Sequence, residues 1–261
     1  MNIIVCIKQV PDTTNVRIDP ETNTLMREGV ESIINPFDMY ALEEGMRIRE
    51  RIGGKVTALT MGPPQAENAL REAISLGIDD AILLTDRAFA GSDTWATSLA
   101  LAGAIRKIPN YDLIICGKQA IDGDTAQVGP GIAVHLNIPQ ITFVKKIEEI
   151  TDKKIRAERM MEEGYQVVEA PLPALITVVK EINEPRLPSM KGKMRAKKAE
   201  IPMWKITDIQ VPEDEVGLKG SPTVVKKIFT PPKRTGGRIL KGEIPEVVDE
   251  LVKELQSRNL I

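Results

Sequence analysis

The chain has 261 residues, 42% of them hydrophobic and 28% charged, with a formal net charge of −2. That size and mixture suit one folded domain with an appendage rather than a disordered chain. The balanced charge gives no case for nucleic acid, no apolar run reaches the roughly 20 residues that cross a bilayer, and an opening of Met1-Asn2-Ile3-Ile4-Val5 without a basic leader makes the cytoplasm the expected location.

Residues 2–8 (NIIVCIK) form a short apolar run that predicts a buried strand. Residues 16–27 predict two short strands around a turn at Asp19-Pro20-Glu21-Thr22-Asn23. Asn35-Pro36-Phe37-Asp38 then leads into a helix in which Met39, Leu42, Met46 and Ile48 are spaced for one face, and Gly53-Gly54 closes it. From there one theme repeats. Strand 55–62 precedes helix 65–77, strand 80–86 precedes helix 93–108, strand 111–117 precedes helix 125–137, and a further strand starts near 140. Strands that alternate with helices, and that are apolar throughout, predict a mostly parallel sheet covered on both faces.

After residue 143 the pattern changes. Residues 143–150, 153–160 and 165–170 predict a small antiparallel excursion, and 174–180 a further core strand. The Pro- and Lys-rich stretch 183–202 reads as a long exposed loop with a short helix. Residues 211–242, rich in Pro and Gly, read as an extended arm. The chain ends in an amphipathic helix with Val247, Val248, Leu251, Val252 and Leu255 on one face, which docks either on a partner or on the chain's own domain. The expected division is therefore an α/β domain over 1–210 and an arm over 211–261.

Candidate chemistry is sparse. Cys6 and Cys116 lie in apolar runs and read as buried thiols of a reducing compartment. His135 is the one histidine, so a zinc site or a Ser-His-Asp triad is not expected. Most carboxylates sit on amphipathic helices, and no acid–base pair stands out. A protein that holds a cofactor and lets the cofactor react fits better.

In open α/β sheets, ligands lie beyond the carboxyl ends of the strands. The segment from Gly117 to Pro130 occupies such a position. Gly117 and Gly123 permit tight backbone paths, Asp124 or Thr125 can cap the next helix, and Asp122 can reach a ribose hydroxyl or orient the loop. Open N–H groups at the helix start suit a diphosphate. An ordinary strand–helix turn with a capping aspartate has the same appearance, and the segment is neither a Walker loop nor a GxGxxG fingerprint.

The stretches IKQVPDTT, INPFD, TMGPPQAENALREAISLG, GKQAIDGDTAQVGP and NEPRLPSMKGKMRAKKAEI resemble the beta subunits of electron-transfer flavoproteins, over about residues 2 to 235. The resemblance implies a Rossmann-like fold of the adenine-nucleotide-binding hydrolase-like kind. It implies pairing with an alpha subunit that carries one FAD, and a nucleotide, FAD or AMP, in the beta subunit itself. It places nucleotide contacts at Cys6, Asn35, Pro36, Phe37, Asp38, Met61, Gly117, Asp122, Gly123, Asp124, Thr125, Ala126, Gln127, Val128, Gly129 and Pro130. Asn35 and Asp38 would serve adenine and ribose, and the amides of 123–129 the phosphates.

The forms IDGDTAQVGP, TMGPPQAE and DRAFAGSDTWATS look like the bifurcating members, which hold FAD here and take a hydride from NADH. In those members one electron goes to ferredoxin or flavodoxin and the other, through the alpha-subunit FAD, to an acyl-CoA dehydrogenase or other oxidoreductase. Asp93, Thr94 and Thr97 are the candidates for an NADH-facing wall, or they merely cap and line their helix. In the NEPR segment, Met190 and its neighbour Leu187 match the family's partner-recognition anchor. The alternatives are a conventional carrier holding structural AMP and a regulatory module of the universal-stress type. The NEPR segment and the arm speak against the second of these.

Overall fold

The computed structural model describes residues 1–12, 17–18, 25–26, 32–226 and 237–261. These form two compact units, Met1–Val224 and Val225–Ile261. Among the described residues no helix is long and apolar enough to cross a membrane.

In the first unit the strands are β1 (Asn2–Cys6), β2 (Gln9–Pro11), β3 (Arg17–Ile18), β4 (Leu25–Met26) and β5 (Ser32–Ile34). The alternating part follows as α1 (Pro36–Ile52), β6 (Lys55–Met61), α2 (Glu67–Leu76), β7 (Asp80–Leu84), α3 (Thr94–Lys107), β8 (Leu113–Gly117) and α4 (Val128–Leu136). Then come β9 (Gln140–Ile150), β10 (Lys154–Met160), β11 (Tyr165–Pro171), β12 (Ala174–Val178), α5 (Met190–Lys198), β13 (Met203–Trp204) and α6 (Gly217–Gly220). The second unit carries α7 (Ile244–Ser257), which exposes Val248, Leu251 and Val252.

Nine strands form one sheet in the order β11-β10-β9-β12-β8-β1-β6-β7-β13. The expected mostly parallel α/β sheet is the one observed. Its centre is fully parallel, with Cys6 in register with Leu59 on one side and with Cys116 on the other. The strands there are buried on both faces, so apolar residues are required at consecutive positions. Helices α1, α2 and α5 cover one face, where Leu42, Met46, Leu70 and Ile74 meet Val5 and Ile115. Helices α3 and α4 cover the other, where Ala100, Ile105 and Ile132 meet Ile4, Leu59 and Ile114.

The antiparallel excursion is the edge of this same sheet. β9 is one continuous strand: it starts parallel to β12 and, from Val144 onward, pairs antiparallel with β10. Phe143 sits where the register shifts, with φ +61°, a left-handed backbone that a bulky side chain rarely takes. The expected pair of strands within 16–27 is present as β3 and β4, with Arg17 opposite Met26. Their turn at Asp19–Asn23 lies outside the described residues.

Three expectations are revised. Helix α1 starts at Pro36, so Asn35 holds its N-cap position and Asp38 its first turn. Proline is well placed at the first helical position, since its missing N–H has no partner there anyway. Helix α4 starts at Val128, not Thr125, and neither Asp124 nor Thr125 caps it. A start at Thr125 would require Pro130 to donate a backbone hydrogen bond it does not have; a start at Val128 puts Pro130 in the first turn, where none is needed. The compact body also continues past 210, because Val211 and Val216 are buried in the core beneath α3.

Candidate functional site

The strand order places β1 between β6, which follows it, and β8, which begins the other half of the sheet. This is the switch point of a doubly wound fold, and a crevice forms there beyond the strand carboxyl ends. A cavity of about 380 Å³ occupies it. Its walls bring together fourteen of the sequence-predicted residues: Cys6 from β1, Asn35 and Asp38 from the start of α1, Met61 from β6, Asp93, Thr94 and Thr97 from α3, Gly117 from β8, and Gly123, Thr125, Ala126, Gln127, Val128 and Gly129 from the turn into α4.

Pro36, Phe37, Asp122, Asp124 and Pro130 are not among the residues of the walls. Asp122 accepts from Lys8 Nζ at 2.7 Å through both carboxylate oxygens, which ties the turn to the end of β1. Asp124 accepts from the Gln119 side chain. Phe37 and Phe143 flank the Lys118 ammonium at 6.0 and 5.5 Å from their ring centres. Leu187, on the segment leading into α5, and Met190, the first residue of α5, are 88% and 77% exposed.

Asn35 and Asp38 are buried, and their polar atoms hold the site together. Asn35 Nδ2 donates to the Gln119 carbonyl at 2.8 Å, and its Oδ1 accepts from the Ile121 amide at 3.1 Å. Asp38 Oδ2 accepts from the Lys8 amide at 2.7 Å, and the carboxylate also accepts from the Gly117 amide and the Asn35 side chain. Burial pushes the Asp38 carboxyl up to about 7, against the lowering effect of those three donors.

Asp38 therefore binds its proton more tightly folded than unfolded. Its ionisation costs nothing below its ordinary value of 3.8 and the full penalty above about pH 7, so its contribution to stability declines across that window. The unfolding free energy of the wild type is expected to fall with pH there by up to about 1.4 kcal/mol per pH unit more than that of Asp38→Asn. Urea titrations of both proteins at pH 5 and pH 8 check this.

The turn into α4 leaves a run of backbone N–H groups without partners among the described residues. Asp124 and Ala126 both take a left-handed backbone, with φ of 54° and 55°, while Gln127 returns to the helical region. Alternation of this kind turns successive N–H groups toward one point. Among the described residues the amides of Thr125, Ala126, Gln127, Val128 and Gly129 have no acceptor within the chain, and the next, Gly131, donates to Gln127. Alanine in the left-handed region costs roughly 1 kcal/mol, which identifies a turn held for a reason other than its own stability. Lys8 and Lys118 add positive charge to the same walls.

Across the cavity, Asp93 is the N-cap of α3 and accepts from the Trp95 and Ala96 amides at 3.0 and 3.1 Å. Its other oxygen accepts from the Thr223 amide and hydroxyl at 2.9 and 2.7 Å. Those donors hold the Asp93 carboxyl below its ordinary value, against its partial burial. Thr94 donates to Gln127 Oε1 at 3.0 Å and so links α3 to the turn into α4. Asp93 and Thr94 thus cap and bridge as well as line the cavity.

Sequence reasoning passed over Ile7, Lys8, Ser92, Leu101 and Cys116, which line the cavity, as do Lys118, Gln119 and Ala120 within the segment 117–130 that it singled out. Most of them were legible in principle, since they directly follow or end β1 and β8.

The family profile for the electron transfer flavoprotein domain matches residues 22–209. The chain is 57% identical over 262 residues to the electron transfer flavoprotein subunit beta of Thermoanaerobacterium thermosaccharolyticum, covering all of both chains. It is 49% identical over 263 residues, again covering both, to the caffeyl-CoA reductase-Etf complex subunit CarD of Acetobacterium woodii. It is 53% identical over 241 residues to protein FixA of Bradyrhizobium diazoefficiens, spanning 90% of this chain and 84% of that one. A doubly wound sheet with a polar cavity at its switch point, a family match over most of its length and full-length kinship at this level place the chain in the electron-transfer flavoprotein family, among its beta subunits.

Proposed function

We propose that this chain holds the adenylate part of an FAD in the cavity at its switch point and works in the cytoplasm with an alpha subunit that carries a second FAD. The observation that carries this reading is the row of five open amides, Thr125 to Gly129, on residues that line a cavity whose other walls are the ends of β1, β6 and β8. These amides take the phosphates, Lys8 and Lys118 balance their charge, and Asn35 and Asp38 hold the turn in place. Asn35 and Asp38 act mainly by positioning, because most of their hydrogen-bonding capacity is already used.

Bound FAD would supply the chemistry of hydride acceptance from NADH and of single-electron release. The chain's own groups bind and orient it. Asp93, Thr94 and Thr97 form the wall on which the NADH side is proposed, with Asp93 fixed by four donors and therefore rigid.

The exposed Leu187 and Met190 are the proposed anchors for a partner oxidoreductase such as an acyl-CoA dehydrogenase, with α7 docking on the alpha subunit. Ferredoxin or flavodoxin is the proposed low-potential acceptor. The relative in Acetobacterium is by its name part of a larger reductase complex, which supports a wider assembly here.

The size of the cavity favours a second reading. About 380 Å³ lies at the small end of ligand pockets and suits an adenylate alone. In that case the bound group is AMP, and the chain is a conventional carrier subunit. For FAD, the flavin half must lie outside this cavity, against the partner.

Cofactor extraction from the co-purified alpha–beta pair separates the two. Two flavins per pair are expected, with rapid bleaching of both on NADH addition. One flavin plus one AMP supports the carrier reading, and a pair with no adenine nucleotide in the beta subunit contradicts both.

A further inference from the structure

Cys6 and Cys116 end adjacent parallel strands and face each other in register, Cys6 opposite Cys116. Both pack on the α3–α4 side of the sheet, and both are free. Both residues also line the cavity, largely buried beneath its floor. Neighbouring strands run about 4.8 Å apart, inside the Cα separation a disulfide accepts but short of its commonest value. A bridge between them is therefore within backbone reach, and a disulfide that forms there can be reversed by added thiol.

We propose that Cys6 and Cys116 form a redox-active dithiol at the floor of the cavity, closed to a disulfide by a hydroperoxide that enters when no nucleotide fills the site. One sulfur attacks the outer peroxide oxygen, the O–O bond breaks, and a sulfenic acid and an alcohol or water form. The second thiol then displaces water from the sulfenic sulfur. Two electrons and two protons leave the cysteines, the S–S bond forms, and the peroxide is reduced to an alcohol and water, or to two waters.

The bridge has a consequence for binding, which rests on the nucleotide reading above. Gly129, whose amide is one of the five open donors, packs against Cys116: a Cβ on Gly129 would lie 3.5 Å from Cys116 Cβ and 3.6 Å from its sulfur. Drawing Cys116 toward Cys6 moves the surface that seats Gly129. The same Cβ position would lie 2.8 Å from Thr177 Cγ2, so Gly129 is seated closely on both Cys116 and Thr177.

The test uses the full chain, hydrogen peroxide and AMP. Peroxide is expected to remove two hydrogens from the intact mass and give a single Cys6–Cys116 cross-linked peptide, and saturating AMP is expected to slow this. AMP affinity should fall about tenfold on oxidation and return with dithiothreitol. Cys116→Ala and Cys6→Ala each lose the cross-link, and the AMP affinity of each stays at its own starting value through peroxide treatment. Sulfinic acids on single cysteines without a cross-link would overturn the dithiol. A cross-link with unchanged AMP affinity would overturn the switch and leave the nucleotide site standing. AMP that fails to bind the reduced chain would remove the nucleotide reading and the switch together, while the cross-link would still report the dithiol.

Discussion

Gly117→Ala is expected to abolish nucleotide binding and to lower the unfolding free energy by about 3 kcal/mol. The reason is the seam between β8 and α1. A Cβ on Gly117 would overlap Asp38 Oδ1 and lie 2.6 Å from the Phe37 carbonyl carbon and 2.8 Å from the Asp38 nitrogen. Two of those three atoms are backbone in the first turn of a helix, so no side-chain rotation relieves the clash. Relief requires α1 to shift away from the strand end. That shift separates Asp38 from the Lys8 and Gly117 amides and Asn35 from Gln119 and Ile121. The turn into α4 thereby loses its tether and the core loses its fit. Gly123→Ala is the matched comparison, since nothing lies within 4 Å of a Cβ there. It should leave stability within about 0.5 kcal/mol of the wild type. Chemical denaturation and AMP titration of the two variants measure both effects.

The second large effect is expected at Arg186. Its guanidinium and amide reach back 143 residues to the Glu43 carboxylate, with Nε to Oε2 at 2.8 Å. It also pairs with Glu50 at 2.5 Å. The Glu43 side chain is only 4% exposed and is shared with Arg47. Arg186→Leu leaves that buried carboxylate with one cation instead of two, and losing these charged hydrogen bonds while Arg47 remains costs about 2 kcal/mol.

The variant should also loosen the seating of Leu187 and Met190, because Arg186 is the tie to α1 nearest them, the others being Asn183 to Tyr40 and Glu44, and Arg47 to the Glu184 carbonyl. Partner docking should weaken while AMP affinity is retained. Hydrogen bonds and charge from Arg186 hold the Glu43 and Glu50 carboxyls below their ordinary value of 4.5, against burial. The stabilisation they give is therefore complete above that value and fades as pH falls through the depressed ones. The difference between wild type and Arg186→Leu should be constant near neutral pH and shrink in acid. A constant difference down to pH 3 would contradict the ion-pair account.

Much of this architecture was legible from local pattern. Apolar runs such as Ile3-Ile4-Val5-Cys6 and Leu113-Ile114-Ile115-Cys116 have no polar position to give to solvent, so they specified strands buried on both faces and hence a parallel sheet. The location of the cavity followed from chain order, because ligands in such sheets gather beyond the strand carboxyl ends.

What was not legible depends on contacts distant in sequence. The reach of Arg186 to Glu43 has no local signature. The tethering of the 117–130 turn by Asn35 spans more than eighty residues and looks, in sequence, like ligand-binding capacity left open. The start of α4 was misplaced because Asp124-Thr125 reads as a cap, while Pro130 three residues inside the true start decides the matter. The left-handed backbones at Ala126 and Phe143 are set by the turn and by the sheet register, not by preferences of alanine or phenylalanine.

The central claim is that the open amides of Thr125 to Gly129 grip the phosphate of an adenylate. Amide chemical shifts of the isotopically labelled chain, followed as AMP is added, test it most directly. The account predicts that the amide signals of Thr125, Ala126, Gln127, Val128 and Gly129 move together and saturate, and that adenosine moves them far less. Saturation that leaves those five signals in place, or adenosine matching AMP, would contradict it.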